Sequence, residues 1–181
     1  MTVLEIPDGV RMGAGVQVDI QQHMFKRFFT ERRPGLVLGD GVVVHMWTSF
    51  SLDPDAVMEV GAGSVLVGAQ CMCGERIAIG ERVVVSFGVA IADSDFHPHD
   101  TALRRADTIA LAPDADGARE RPPVPTAPVV IEDDVRIGVG AMILKGVTVG
   151  RGATVAAGAV GARDVPAGVT VEGNPARLVS P

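Results

Sequence analysis

The chemistry-bearing residues of this chain gather in one stretch, Ala92-Asp-Ser-Asp-Phe-His-Pro-His-Asp100. Two of only four histidines (23, 45, 97, 99) lie there, beside three aspartates. Imidazole titrates near neutrality and is the usual side chain for taking a proton from an attacking nucleophile. Asp93, Asp95 and His97 alternate, so an extended backbone would put them on one side, and Pro98 biases His97 toward extended geometry. A carboxylate beside the imidazole would fix its tautomer and stabilise the imidazolium. From the residues alone His97 is a candidate base with Asp93 or Asp95 beside it, and a solvated loop histidine is the plainer alternative. The other nucleophile candidates, Cys71 and Cys73, stand among small apolar residues, where buried thiols are inert.

What must position these residues is a repeat of six. From Ile131 the chain reads IEDDVR, IGVGAM, ILKGVT, VGRGAT, VAAGAV, GARDVP. The first place is aliphatic in five of the six, and the fifth is always Val or Ala. The register recurs at Cys73, Ile79, Val85 and Ile91, with Ile77, Val83 and Val89 in the fifth place; earlier runs are Val60, Leu66, Met72 and Leu38, Val44, Phe50. The frame slips at 51–59, where Asp53-Pro54-Asp55 reads as a turn, and again at 72–73. A helix repeats at three and four and a plain strand at two. A period of six instead suits short strands with sharp bends, three to a triangular coil of eighteen residues, stacked by parallel ladders. Glycines at 138, 140, 146, 150, 152 and 158 serve those bends.

Composition agrees with a narrow prism. There are 22 glycines in 181 residues, six Phe, one Trp and no Tyr. Apolar residues at 47 % exclude a disordered chain. A net charge of −6 without a basic cluster argues against nucleic-acid partners. No uncharged apolar run has the length of a membrane helix, and Glu5 and Asp8 do not suit a secretory leader, so the expectation is a cytoplasmic protein. Two cysteines are too few for a disulfide scaffold.

The expected organisation is an N-terminal segment (1–36, a first coil plus a short helix carrying 24, 25, 28 and 29 on one face), coils over 37–91, an extruded loop over 92–130, further coils over 131–171 and a tail, 172–181. The loop breaks the hexads for about forty residues, and its Arg104, Arg105, Arg119 and Arg121 precede a Pro-rich return. His45 and Trp47 are read as packing residues.

The hexads, followed by Asp164-Val-Pro-Ala-Gly-Val-Thr-Val-Glu-Gly-Asn-Pro-Ala-Arg177, resemble the hexapeptide-repeat acyltransferases, in particular the galactoside, maltose and polysaccharide O-acetyltransferases. The resemblance covers roughly 36–179. It implies an all-β fold, a left-handed parallel β-helix with one extruded loop, assembled as a homotrimer. It also implies an acetyl-CoA (or other acyl-CoA) co-substrate, no metal, and a small-molecule acceptor bearing a hydroxyl or amine. By position it carries the base role to His97, with Asp93 taken as its orienter and Asp95 as the reserve, backbone contacts with the CoA arm to Gly138, Val139, Ala157 and Ala162, and phosphate pairing to Arg163 and Arg177. One departure is Arg136, where the family often has Trp. Two alternatives keep the same fold: a zinc hydratase like the γ-class carbonic anhydrases, needing three histidines on one metal, and a non-catalytic scaffold.

Overall fold

The computed structural model describes residues 5–19, 24–111 and 121–180. Its strands come in threes, one for each side of a triangle. The first coil supplies β1 (Val10–Met12) and β2 (Gln17–Val18); the second β3 (Leu36–Leu38), β4 (Val43–His45) and β5 (Ser49–Leu52). The third has β6 (Val57–Val60), β7 (Val65–Val67) and β8 (Gln70–Cys73), and the fourth β9 (Arg76–Ile79), β10 (Val84–Val85) and β11 (Ala90–Ala92). An excursion holding α1 (Thr101–Ala110) follows. The chain then resumes with β12 (Val129–Ile131), β13 (Arg136–Ile137) and β14 (Met142–Ile143), and with β15 (Thr148–Val149), β16 (Thr154–Val155) and β17 (Val160–Gly161). A hairpin, β18 (Thr170–Glu172) and β19 (Arg177–Ser180), closes the end.

These strands form three sheets: β1-β3-β6-β9-β12-β15; β2-β4-β7-β10-β13-β16-β18-β19; and β5-β8-β11-β14-β17. Every named pairing is parallel except β18 with β19. Val130 faces Thr148, Arg136 faces Thr154 and Met142 faces Val160, each pair eighteen residues apart as three hexads require. Between the second and third coils the offset widens to twenty-two, as in Leu36 with Met58 and Val43 with Val65. The extra residues pass through the turn at Asp53-Pro54-Asp55.

Across the excursion, Ile77 faces Val129, Val84 faces Arg136 and Ala90 faces Met142, fifty-two residues apart in all three sheets. The coils therefore stack without a gap, and the excursion leaves the prism at the edge between β11 and β12.

The interior is the first and fifth places of the hexads. Ile131, Val135, Ile137, Ala141, Ile143, Val147, Val149, Ala153, Val155, Ala159 and Val165 are all buried. Each larger aliphatic chain removed from water contributes about 1.5–3 kcal/mol, and no single coil can bury its own face, so stacking and core formation are one event. The run Val60, Leu66, Met72 holds only for its first two members. Met72 is half-buried, and Cys71 and Cys73 take the interior because β8 alternates in and out at a period of two. Gly138 marks a close approach between coils: a Cβ there would lie 2.5 Å from the Ala157 nitrogen. Gly140, at φ +67°, makes the next bend in the left-handed region.

No helix forms over residues 24–29, and His23 lies outside the described residues. The backbone there bonds to β5 instead: Phe50 N–H donates to the Met24 carbonyl (2.8 Å) and Phe29 N–H to that of Leu52 (2.8 Å). Phe25 stacks on the interior Phe50 with centroids 5.9 Å apart and Phe28 bridges Leu52 in parallel, so this stretch runs along β5 as the third side of the first coil, with Phe29 exposed. Trp47, expected to pack, is largely exposed at the edge between β4 and β5, near Phe87. Among the described residues no helix is long and apolar enough to cross a membrane.

Candidate active site

The excursion is rooted by Asp93, whose side chain is fully buried. Its carboxylate accepts from three consecutive backbone N–H groups, Gly74 (2.6 Å), Glu75 (2.8 Å) and Arg76 (2.7 Å), with the Cys73 thiol at 3.4 Å. These amides form the bend between β8 and β9, where turning leaves them without ladder partners. The Asp93 carbonyl accepts from Ala127 N–H (2.9 Å), and Ser94 bridges Thr126, so outgoing and returning chains are held together. Asp93 is thereby committed to the main chain and is not the partner of His97.

Asp95 is engaged elsewhere too. Its Oδ2 accepts from Lys145 Nζ (2.5 Å), on the coil below, and lies 2.7 Å from His99 Nε2. The Lys145 hydrogen bond, followed by that of His99, holds the Asp95 carboxyl below the usual carboxylate range. The alternation that would have aimed Asp93, Asp95 and His97 one way fails at Phe96, whose φ is +63°. His97 N–H folds back onto the Asp95 carbonyl at 2.7 Å, turning the imidazole away from both earlier acids.

It turns toward α1. Asp100 caps this helix from an extended backbone, its carboxylate accepting from Leu103 N–H at 2.9 Å. One face of the helix, Asp100, Arg104 and Asp107, follows the three-and-four spacing. Arg104 donates to the carbonyls of His99 (3.0 Å) and Pro98 (3.4 Å), pinning that face to the histidine segment. Asp107 arrives fully buried, its Oδ2 2.6 Å from His97 Nδ1. Its Oδ1 accepts from Arg121 Nε at 2.6 Å. Arg121 first, and His97 after it, keep the carboxyl below its ordinary value against the opposing effect of burial. An ionised carboxylate has no proton to give, so Nδ1–H is the donor and Nε2 is left as the basic nitrogen. The imidazole is about half exposed (53 %), open to a reactant.

Asp107 is the partner of His97 that the sequence reading missed. Its only sequence signal was the capping pattern, Asp100 three residues before Leu103 at the start of a helix-compatible run.

The residues expected to hold CoA fall on two prism edges. Gly138, Val139 and Ala157 lie on the edge joining the β13 and β14 sheets, where Gly158 N–H donates to the Val139 carbonyl (2.9 Å) and Val139 is exposed. Ala162 and Arg163 follow β17 on the edge from which the excursion leaves, and both are exposed. Arg177 pairs with Glu172 in the closing hairpin. Arg136 stands exposed on the outer face of β13. Burial pushes the Cys71 thiol up to about 12, and burial followed by Asp93 pushes that of Cys73 up as well; neither offers a thiolate at neutral pH. His97 and His99 serve different carboxylates, and among the described residues no three His, Cys, Asp or Glu side chains are grouped to hold a metal ion.

Residues 128–160 match the family described as the hexapeptide repeat of succinyl-transferase. A 2,3,4,5-tetrahydropyridine-2,6-dicarboxylate N-acetyltransferase of Staphylococcus aureus is 58 % identical over 57 residues, 32 % of this chain and 24 % of that protein. The chain thus spans about a quarter of the length of the curated relatives it matches. A hexapeptide-repeat acetyltransferase of Vibrio cholerae, solved with acetyl coenzyme A, superposes with a TM-score of 0.61 at 26 % identity, over 85 % of this chain and 72 % of the other. A galactoside acetyltransferase solved with coenzyme A shares the fold, with a TM-score of 0.59 at 17 % identity over 94 % and 64 %. By the repeat over 128–160 and by fold, the chain is similar to hexapeptide-repeat acetyltransferases. Its parallel sheets and these neighbours fit a left-handed parallel β-helix.

Proposed function

We propose that this chain transfers an acyl group, an acetyl group in the simplest case, from acyl-CoA to a hydroxyl or amine of a sugar or small metabolite. The observation that carries the reading is the pair His97–Asp107, a half-exposed imidazole backed by a buried carboxylate where the excursion leaves the β-helix. Nε2 of His97 removes the acceptor's proton as the acceptor attacks the thioester carbonyl. The C–S bond breaks, and the departing thiolate takes the proton back from the imidazolium. The products are the acylated acceptor and free CoA thiol. Asp107 stabilises the imidazolium formed between the two proton transfers. The resemblance to the Vibrio cholerae protein, solved with acetyl coenzyme A, supports the donor.

The two-edge placement of the expected CoA residues supports a site between subunits. Gly138, Val139 and Ala157 on one chain would face Ala162, Arg163 and His97 on the next, with Arg177 at the open end. A trimer does this three times over, and light scattering should give a mass of about 56 kDa, three chains of 18.8 kDa.

The decisive experiment measures thiol release from acetyl-CoA against a panel of sugars, amino sugars and amines. His97→Ala should lower turnover by about a hundredfold or more at unchanged circular dichroism. Full activity in that variant would remove His97 from the mechanism.

A further inference from the structure

One side chain of the excursion ties together three pieces that are far apart in sequence. Arg121, on the returning chain, donates from Nε to Asp107 Oδ1 (2.6 Å) and from Nη2 to Asp107 Oδ2 (3.3 Å) on α1. The same Nη2 donates to the Phe96 carbonyl at 2.7 Å. That carbonyl belongs to the peptide leading into His97, and Phe96 stands in the left-handed region, where a non-glycine residue needs outside support. A single guanidinium therefore fixes both the carboxylate that grips the imidazole and the backbone from which the imidazole springs. Its planar fork meets three acceptor contacts at once, which the point charge of a lysine cannot reproduce.

We infer that Arg121 is a positioning residue for His97, setting the orientation of the ring and lowering the pH at which its Nε2 is free to accept a proton. The inference rests on the base role proposed above. The orientation follows from the clamp on Phe96 and Asp107. The pH effect follows from charge: with Arg121 present, Asp107 divides its negative charge between a guanidinium and the imidazole, and stabilises imidazolium less than a lone carboxylate would. Other charged groups stand on the elements around this segment. Asp95 and His99 lie on its own segment, Arg104 on α1 and Lys145 on the coil below. Asp53 interacts with Arg121 from the turn between β5 and β6. None of these meets both Asp107 and the Phe96 carbonyl, as Arg121 does.

The test follows the His97 imidazole by NMR titration, its signal assigned by its loss in His97→Ala, together with the pH profile of kcat/KM. Arg121→Gln should move the titration midpoint up by about half a pH unit or more. The acid limb of kcat/KM should move the same way, and turnover at the optimum should fall about tenfold or more. Added guanidinium chloride should restore part of the turnover. Arg121→Lys, which keeps the charge, should keep the midpoint near that of the native protein and still lose turnover. An Arg121→Gln protein whose midpoint does not move overturns the inference, whether or not turnover falls. A fully active Arg121→Lys overturns the orientation half of it. If His97→Ala retains activity while Arg121→Gln still moves the midpoint, the base role falls and the coupling of Arg121 to His97 stands.

Discussion

The root and the tip of the excursion are each built around one fully buried aspartate, and the two are opposites. At the root, Asp93 meets three backbone amides of a bend in the prism. Those donors cannot titrate or leave, so the carboxylate acts as a bolt. At the tip, Asp107 meets only side chains, an imidazole and a guanidinium, from segments ten and fourteen residues away. One of those partners, the imidazole, is half open to solvent. Burial alone therefore does not tell the two aspartates apart; the chemistry of their partners does.

Substitutions can break this comparison. The largest separation is expected from Asp107→Asn, which keeps the volume and removes the charge. Turnover should fall about a hundredfold with only a modest change in urea midpoint; a small kinetic effect would mean that the tip is a fastening like the root. Asp93→Asn should show the reverse. Its amide presents N–H groups to backbone donors and leaves buried partners unmet, costing about 2–4 kcal/mol in chemical denaturation, while kcat of the folded fraction stays within a few-fold. Loss of catalysis without loss of stability would reverse the two roles.

Acid offers a milder test. The Asp107 carboxyl is held below its unfolded value, so below about pH 4 the unfolded chain binds a proton that the folded one does not. Stability from this group is complete above the unfolded value and fades as pH falls through the lower, folded one. Stability measured from pH 5 to pH 2 should decline less steeply in Asp107→Asn than in the native protein, and an unchanged slope would deny the shift. Smallest of all, an alkylating reagent at pH 8 should leave Cys71 unmodified in the folded protein, by mass spectrometry, with turnover unaffected; the thiol, pushed up to about 12, supplies almost no thiolate.

The same contrast explains what could be read from sequence. Interior positions such as Ile137, Ala141 and Ile143 repeat every six residues because each coil copies the one before, so local pattern and tertiary contact coincide. His97 was legible as one of two histidines where that pattern stops, singled out by the resemblance. Its partner was not, because the argument from alternation assumed an extended backbone, and Phe96 at φ +63° breaks it. Asp107 reaches the ring only through a capped helix, and Arg121 only after the chain has turned back. Neither contact has a period. Cys71 in place of Met72 shows the same limit on a small scale, a slip of one residue where the repeat changes step.

The register across the excursion has an evolutionary consequence. Its two ends are pinned to adjacent coils that pair as if nothing lay between them. The span to be closed is one strand spacing, about 4.8 Å, whatever the length of the segment, and the entropic cost of a longer segment grows only logarithmically. The prism thus works as a socket. The segment between Asp93 and Ala127, with the Asp93 bolt kept, can be shortened, lengthened or exchanged for one of different chemistry without asking any coil to move.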